Sequence, residues 1–139
     1  MSSAVRSGAR AAAGEAARSL WLWAPAVAYM TLIFVVSSGT SVSLPANASD
    51  KIVHVAEYAL LAVLLTRGLV GGLPARIDLW TALVAIGATV AYGASDEWHQ
   101  SFVVGRNADR FDLIADAVGA VVGAAACWAW GTIWIRADV

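Results

Sequence analysis

Charge is scarce in this sequence. Lys, Arg, Asp and Glu make up 14% of 139 residues, and the mean hydropathy is +0.69. Soluble domains carry about a quarter of their residues as charges, so the composition excludes an ordinary soluble domain and points to an integral membrane protein. A basic excess is also missing. The net charge is −1 and no basic patch stands out, which excludes nucleic acid as a partner. The single cysteine, Cys127, rules out an intrachain disulfide. It lies in an apolar run and reads as an inert packed thiol. No HExxH or other dedicated metal spacing occurs, and no serine stands out as a nucleophile; Ser95 and Ser101 read as ordinary helix-end residues.

What the chain does have is apolar length. Four segments stand out: about Leu20–Val36, Ile52–Leu73, Leu79–Gly93 and Leu113–Ile135. A helix needs about 20 apolar residues to cross a bilayer, and roughly 17 still serve. The second and fourth segments meet that easily. The third reaches it only if the helix continues through Ser95-Asp96-Glu97. The first has a basic lead (Arg6, Arg10, Arg18) and a downstream Ala46-Asn47-Ala48 resembling a cleavage site. Its apolar run is longer than a signal peptide's, and Trp21 and Trp23 look like an interfacial anchor, so it is expected to be retained. Pro25 is expected in the first turn, where a missing N–H is tolerated. Residues 1–19 are expected to form a mobile basic tail without a site, and residues 20–139 the membrane domain.

Orientation follows the placement of Lys and Arg. With the N-terminus inside, the cytoplasmic side holds Arg6, Arg10, Arg18, Arg67, Arg76 and Arg136, and the outer side Lys51, Arg106 and Arg110. Trp21, Trp23, Trp80 and Trp134 then fall near the inner interface. The expected fold is an all-α integral membrane protein with four transmembrane helices, N-in/C-in, in a compact bundle, multi-pass in the cell membrane.

The ionisable residues gather in two places that this topology brings to one end. The second segment opens SDKIVHVAEYALL, with Ser49 as a helix start whose hydroxyl could accept a backbone N–H. Asp50, His54, Glu57 and Leu61 recur at one face of a 3.6-residue helix, flanked by Lys51 and Tyr58. Charged groups inside a membrane are costly facing lipid, so this stripe should face the bundle interior. The third segment ends AYGASDEWHQ, placing Tyr92, Asp96 and Gln100 on one stripe with Glu97 and His99 beside it. Two carboxylates near a helix C-terminus oppose its dipole, so Lys51 or Arg106 is expected as their partner. Gly105 permits a turn, and Arg106 offers a planar fork for carboxylate or phosphate. The fourth segment carries Asp112, Asp116, Gly119 and Gly123 on one face, where the glycines let a neighbouring helix approach closely.

Two long motifs resemble those of VanZ-like membrane proteins: SDKIVHVAEYALLAVLL and SDEWHQSFVVGRNADRFDLIADAVGAVVG, with IFVVSSGTS as a weaker match. Together they cover about residues 32 to 123. Val104 departs from the family, which often has Pro there, and Asp116 stands where Asn is common. The resemblance implies a small polytopic membrane protein, in a family whose namesake raises resistance to the glycopeptide teicoplanin. It carries over Asp50, Lys51, His54, Tyr58, Asp96, Glu97, Gln100, Gly105, Arg106, Asp112, Asp116, Gly119 and Gly123. Glu57, His99, Asp109 and Arg110 come from the stripes and the loop themselves.

Three functions stay open. The first is an outward-facing site that binds or alters a cell-envelope lipid or lipid-linked wall precursor and affects glycopeptide susceptibility. In it Lys51 and Arg106 hold a phosphate, while Asp96 and Gln100 take hydrogen bonds. The second is a membrane-embedded hydrolase or transferase using His54, Asp96 or Glu97, with a divalent metal (Mg²⁺, Mn²⁺ or Zn²⁺) held by residues among Asp50, His54, Asp96, Glu97 and Asp112. The third is a structural polar network that fixes the bundle or a homo-oligomer. Membrane lipids are partners under any of them.

Overall fold

The computed structural model describes residues 3–39, 49–106 and 109–137. Ala46-Asn47-Ala48 and the side chains of Arg6 and Arg136 lie outside the described residues. The described chain is all helix and turn: α1 (Ser3–Ser37), α2 (Asp50–Val70), α3 (Leu79–Gln100) and α4 (Arg110–Ala137). Three stretches are long and apolar enough to cross a membrane, Arg10–Ser37, Asp50–Val70 and Arg110–Trp134. The chain is thus built as a membrane protein.

Local chemistry accounts for the end of α2 and the start of α3, and three features of the helices differ from expectation. Helix α1 begins at Ser3, so Pro25 lies deep inside it rather than in its first turn. Proline there removes the N–H that would bond the carbonyl four residues back, at Trp21. Arg67 of α2 supplies the missing donor: its guanidinium bonds the carbonyls of Trp21 at 3.0 Å and Leu22 at 2.8 Å. Ser49 precedes α2 in an extended conformation, but its hydroxyl makes no capping bond. The helix also stops at Val70 instead of running to Leu73. Gly71 turns left-handed (φ 75°), and Gly72 N–H returns to the Arg67 carbonyl, a glycine stop signal stronger than the apolar run. Asp78 caps α3 by accepting the Thr81 N–H at 2.7 Å. That bond holds its carboxyl below the ordinary Asp value. Helix α3 then runs unbroken through Ser95-Asp96-Glu97 to Gln100.

The packing is inverted relative to a soluble protein. Large apolar residues such as Leu20, Leu32, Ile52, Leu83, Val121 and Trp128 face outward. Much of the interior holds small and polar ones, among them Ala62, Ala85, Ala120, Thr89, Asp96 and Asp116, with Ile33, Tyr58, Leu61 and Leu65 as the large exceptions. Helices in lipid gain nothing by burying Leu against Leu, so small residues that allow close approach line the contacts. Helices α2 and α4 share the most extensive interface. They run parallel: Lys51 meets Asp112 and His54 meets Asp116. Helix α3 packs against both. Helix α1 leans on α2 through Ala26, Ile33, Tyr58, Leu61 and Leu65, and touches α3 only lightly.

Candidate functional site

Glycine decides where the polar groups meet. A Cβ on Gly119 would lie under 3.0 Å from the Val55 carbonyl of α2, and one on Gly123 would collide with the Ala59 carbonyl. With no side chain there, α4 lies directly on the α2 backbone. One and two turns nearer the start of α4, Asp116 and Asp112 are carried against His54 and Lys51. A third glycine, Gly93 of α3, closes the triangle: a Cβ there would sit 2.7 Å from Asp116 Oδ2 and 3.0 Å from Tyr58 Cε1. Gly93 was not read from the sequence. Its only signal was its place one turn before Asp96.

The first group lies between α2 and α4. Lys51 Nζ donates to Asp109 at 2.7 Å and to Asp112 in a second, shorter contact, with Asp50 at 3.8 Å. His54 Nδ1 pairs with Asp116 Oδ1 at 2.8 Å, and its Nε2 faces Asp112 Oδ1 at 3.9 Å. Asp116 is 1% exposed and Asp112 7%. Two largely dehydrated carboxylates one helical turn apart are tolerable only with cations or protons beside them, and Lys51 and His54 fill that need. Asp109, outside the helices, is held below the ordinary Asp range by its bond to Lys51.

The second group lies between α3, the following turn and α1. Asp96 is buried and accepts Ser37 Oγ at 2.6 Å and Gln100 Nε2 at 2.8 Å. Arg106 reaches back to Gln100 Oε1 at 2.9 Å. Glu97 accepts the Asp109 backbone N–H, linking the two groups. The half-buried Glu57 lies within electrostatic range of His54, Asp96, Asp116 and Arg106. Tyr58 is fully buried, stacked parallel to His54 and tilted against Tyr92.

Some pairings differ from the sequence expectation. Neither Lys51 nor Arg106 forms an ion pair with Asp96 or Glu97 among the described residues. The partners of Asp96 are a serine from α1 and an amide one turn on, and that of Glu97 is a backbone N–H. Lys51 is engaged by Asp109 and Asp112, which leaves Arg106 as the half-buried cation with no described carboxylate partner. Arg110 is exposed and lies over the Phe111 ring at 5.6 Å. Of the metal candidates, ligand atoms of Asp50, His54 and Asp112 lie within 4.8 Å of one another. Asp96 belongs to the other group. Ser37 was missed by sequence reading, and with it Ser38, whose Oγ lies 3.0 Å from His99 Nε2.

Beside the second group, an apolar cavity of about 490 Å³ opens between α1 and α3. Phe34, Tyr92, Trp98 and Phe102 line it, with Asp96 and His99 in its wall. A second hollow of about 330 Å³, lined by Val27, Met30, Thr31, Phe34 and Tyr92, shares Phe34 and Tyr92 with it.

The profile of the VanZ/LLP1 family matches residues 20–132, which include both polar groups and most of every helix. The chain belongs to the VanZ/LLP1 family. Among curated proteins and solved structures, none matches it. Within this VanZ/LLP1 chain the two motifs meet as one polar end: the first supplies Asp50, Lys51 and His54, the second everything from Asp96 to Asp116.

Proposed function

We propose that this VanZ/LLP1 protein is a four-span protein of the cell membrane with both termini inside, whose polar end faces outward. There it binds or alters a cell-envelope lipid or a lipid-linked wall precursor, and so affects glycopeptide susceptibility. The observation that carries the reading is the apolar hollow between α1 and α3 with buried Asp96 in its wall. Such a space suits a hydrocarbon chain, and the carboxylate in its wall suits a hydroxyl or amine of the headgroup. Ser37 and Gln100 already fix Asp96, so it is preorganised to accept. Arg106, without a carboxylate partner of its own, is the group suited to a headgroup phosphate.

Ser95 lines the hollow and is exposed, and among the described residues its hydroxyl bonds only the Tyr92 carbonyl. Ser95→Trp therefore fills the hollow while leaving the polar network in place. Lipids retained by the purified protein are extracted and identified by mass spectrometry. The expected result is one enriched species in the wild-type protein that falls at least tenfold in Ser95→Trp and in Asp96→Asn. The same lipid profile in all three proteins refutes the site. Expression in a susceptible Gram-positive host then tests the consequence, as protection from teicoplanin relative to vancomycin that Arg106→Ala removes.

One arrangement favours the enzyme reading. His54, oriented by Asp116, has the geometry of a base held by a carboxylate. Yet His54 is not among the residues lining the hollow beside Asp96, and no hydroxyl or thiol nucleophile adjoins it among the hydrogen bonds described. Binding is the reading the geometry supports best.

A further inference from the structure

Of the seven residues lining the hollow between α1 and α3, four carry a Phe, Tyr or Trp ring: Phe34, Tyr92, Trp98 and Phe102. Aliphatic side chains would enclose a hydrocarbon chain equally well. Rings add a negative π-face, which attracts cations and quaternary ammonium groups above all. Trp98 and Phe102 meet at 85° with centroids 5.6 Å apart, so the pair forms a corner with perpendicular walls. The Tyr92 hydroxyl donates to the Met30 carbonyl at 2.5 Å, which fixes a third ring against α1. An interfacial aromatic belt accounts for Trp98 and Phe102, but it does not call for a buried carboxylate in the same wall.

Charge is an independent observation. Asp96 is 4% exposed, and its donors among the described residues are both neutral, the Ser37 hydroxyl and the Gln100 amide. Arg106 stops one residue short of it, on Gln100 Oε1 at 2.9 Å. Neither lysine nor arginine lines the hollow among the described residues. The backbone adds negative charge of its own. Helix α1 ends at Ser37 and α3 at Gln100, and the contacts Ser37–Asp96 and Ser38–His99 set these two C-termini side by side. Each helix C-terminus carries roughly half a negative charge, felt over its last turn, and Phe34 and His99 of the lining belong to those turns. A carboxylate in this place favours an opposite charge beside it, and the described chain supplies none in direct contact.

We propose that the headgroup taken by this hollow carries an ammonium group, held against Asp96 and enclosed by the rings of Phe34, Tyr92, Trp98 and Phe102. The inference rests on the reading of the hollow as a lipid site and names the class of lipid. Primary and quaternary ammonium groups share the charge that Asp96 and the two helix ends attract. A primary one also donates to Asp96, whose oxygens each have one described donor and keep lone pairs to spare. A quaternary one relies on the rings. Phosphoglycerol offers Asp96 hydroxyls and no positive charge. Arg106 and Asp96 are joined through Gln100, so a zwitterionic headgroup can set its phosphate on the arginine and its ammonium on the carboxylate.

The test titrates the full chain in detergent with dioleoyl phosphatidylethanolamine, phosphatidylcholine and phosphatidylglycerol, and reads bound lipid by native mass spectrometry. The acyl chains are the same, so differences report the headgroup. Binding that Ser95→Trp removes is assigned to the hollow. That portion is expected to be at least tenfold stronger for phosphatidylethanolamine or phosphatidylcholine than for phosphatidylglycerol. Asp96→Asn should reduce the preference several-fold and leave phosphatidylglycerol unchanged. Trp98→Leu, at an exposed position where folding is not at stake, should do the same. Equal binding of the three lipids in the hollow, or a preference for phosphatidylglycerol, overturns the ammonium assignment while leaving the hollow a lipid site. A preference that survives both Asp96→Asn and Trp98→Leu overturns it as well. If Ser95→Trp removes no binding of any of the three, the lipid reading itself fails and the assignment falls with it.

Discussion

Arg67 and Pro25 offer a quantitative check on how the bundle is joined. Pro25 leaves the Trp21 carbonyl without its helical donor, and the Arg67 guanidinium bonds that carbonyl at 3.0 Å and the next at 2.8 Å. The same guanidinium lies 5.6 Å over the Trp21 ring. Arg67→Met keeps much of the aliphatic stem and removes both interactions. Hydrogen bonds from a charged donor contribute about 1.5–3 kcal/mol, and an exposed cation–π contact about 0.5–1 kcal/mol. Part of this depends on proline. Pro25→Ala restores an N–H at position 25, which can satisfy the Trp21 carbonyl from within α1. In that background Arg67→Met should cost less by about 1 kcal/mol, the net value of one hydrogen bond. The assay is reversible unfolding in mixed micelles, followed by tryptophan fluorescence, for the wild-type chain, both single variants and the double variant. Effects that add to within about 0.3–0.5 kcal/mol, as independent sites do, would refute the link between the proline and the arginine.

The glycines should divide by what surrounds them. Gly119→Ala meets α2 backbone that cannot yield and should destabilise by about 1–3 kcal/mol or more, while Gly87→Ala, with nothing within 4 Å, should gain up to about 1 kcal/mol from helix propensity; equal effects in the same unfolding assay would contradict the packed face. Ser37→Ala removes the hydroxyl that joins α1 to Asp96 and should cost about 1–3 kcal/mol because a buried carboxylate loses a donor, and it should reduce lipid retention along with Asp96→Asn. Asp109 sets an acid limit. Its folded value is depressed by Lys51, so its contribution is present above the ordinary Asp value of about 3.9 and is lost as the pH falls from there through the lower folded value. Asp109→Asn should flatten that part of the unfolding midpoint against pH, and an unchanged acid limb would show that the Lys51 contact carries no stability.

Much of this protein was legible along single helices. The stripe Asp112, Asp116, Gly119 and Gly123 follows from 3.6-residue periodicity, and all four are buried on α4. Tyr92, Asp96 and Gln100 also share a face, and Asp96 and Gln100 bond each other one turn apart. Helix ends were legible only where the signal was local chemistry. Apolar length carried α2 three residues too far, because hydropathy does not register the left-handed glycine at position 71.

Sequence alone determined the class, the apolar core of each helix and the polar faces of α2, α3 and α4, because burial in lipid and helical periodicity act within a segment. Tertiary structure alone decided the partners. Lys51 lies 58 residues from Asp109 and Ser37 lies 59 from Asp96, and nothing in the local pattern of either residue names the other. Three glycines set how closely α2, α3 and α4 approach. That distance determines which carboxylate receives the lysine, which holds the histidine, and which is left facing the hollow between α1 and α3.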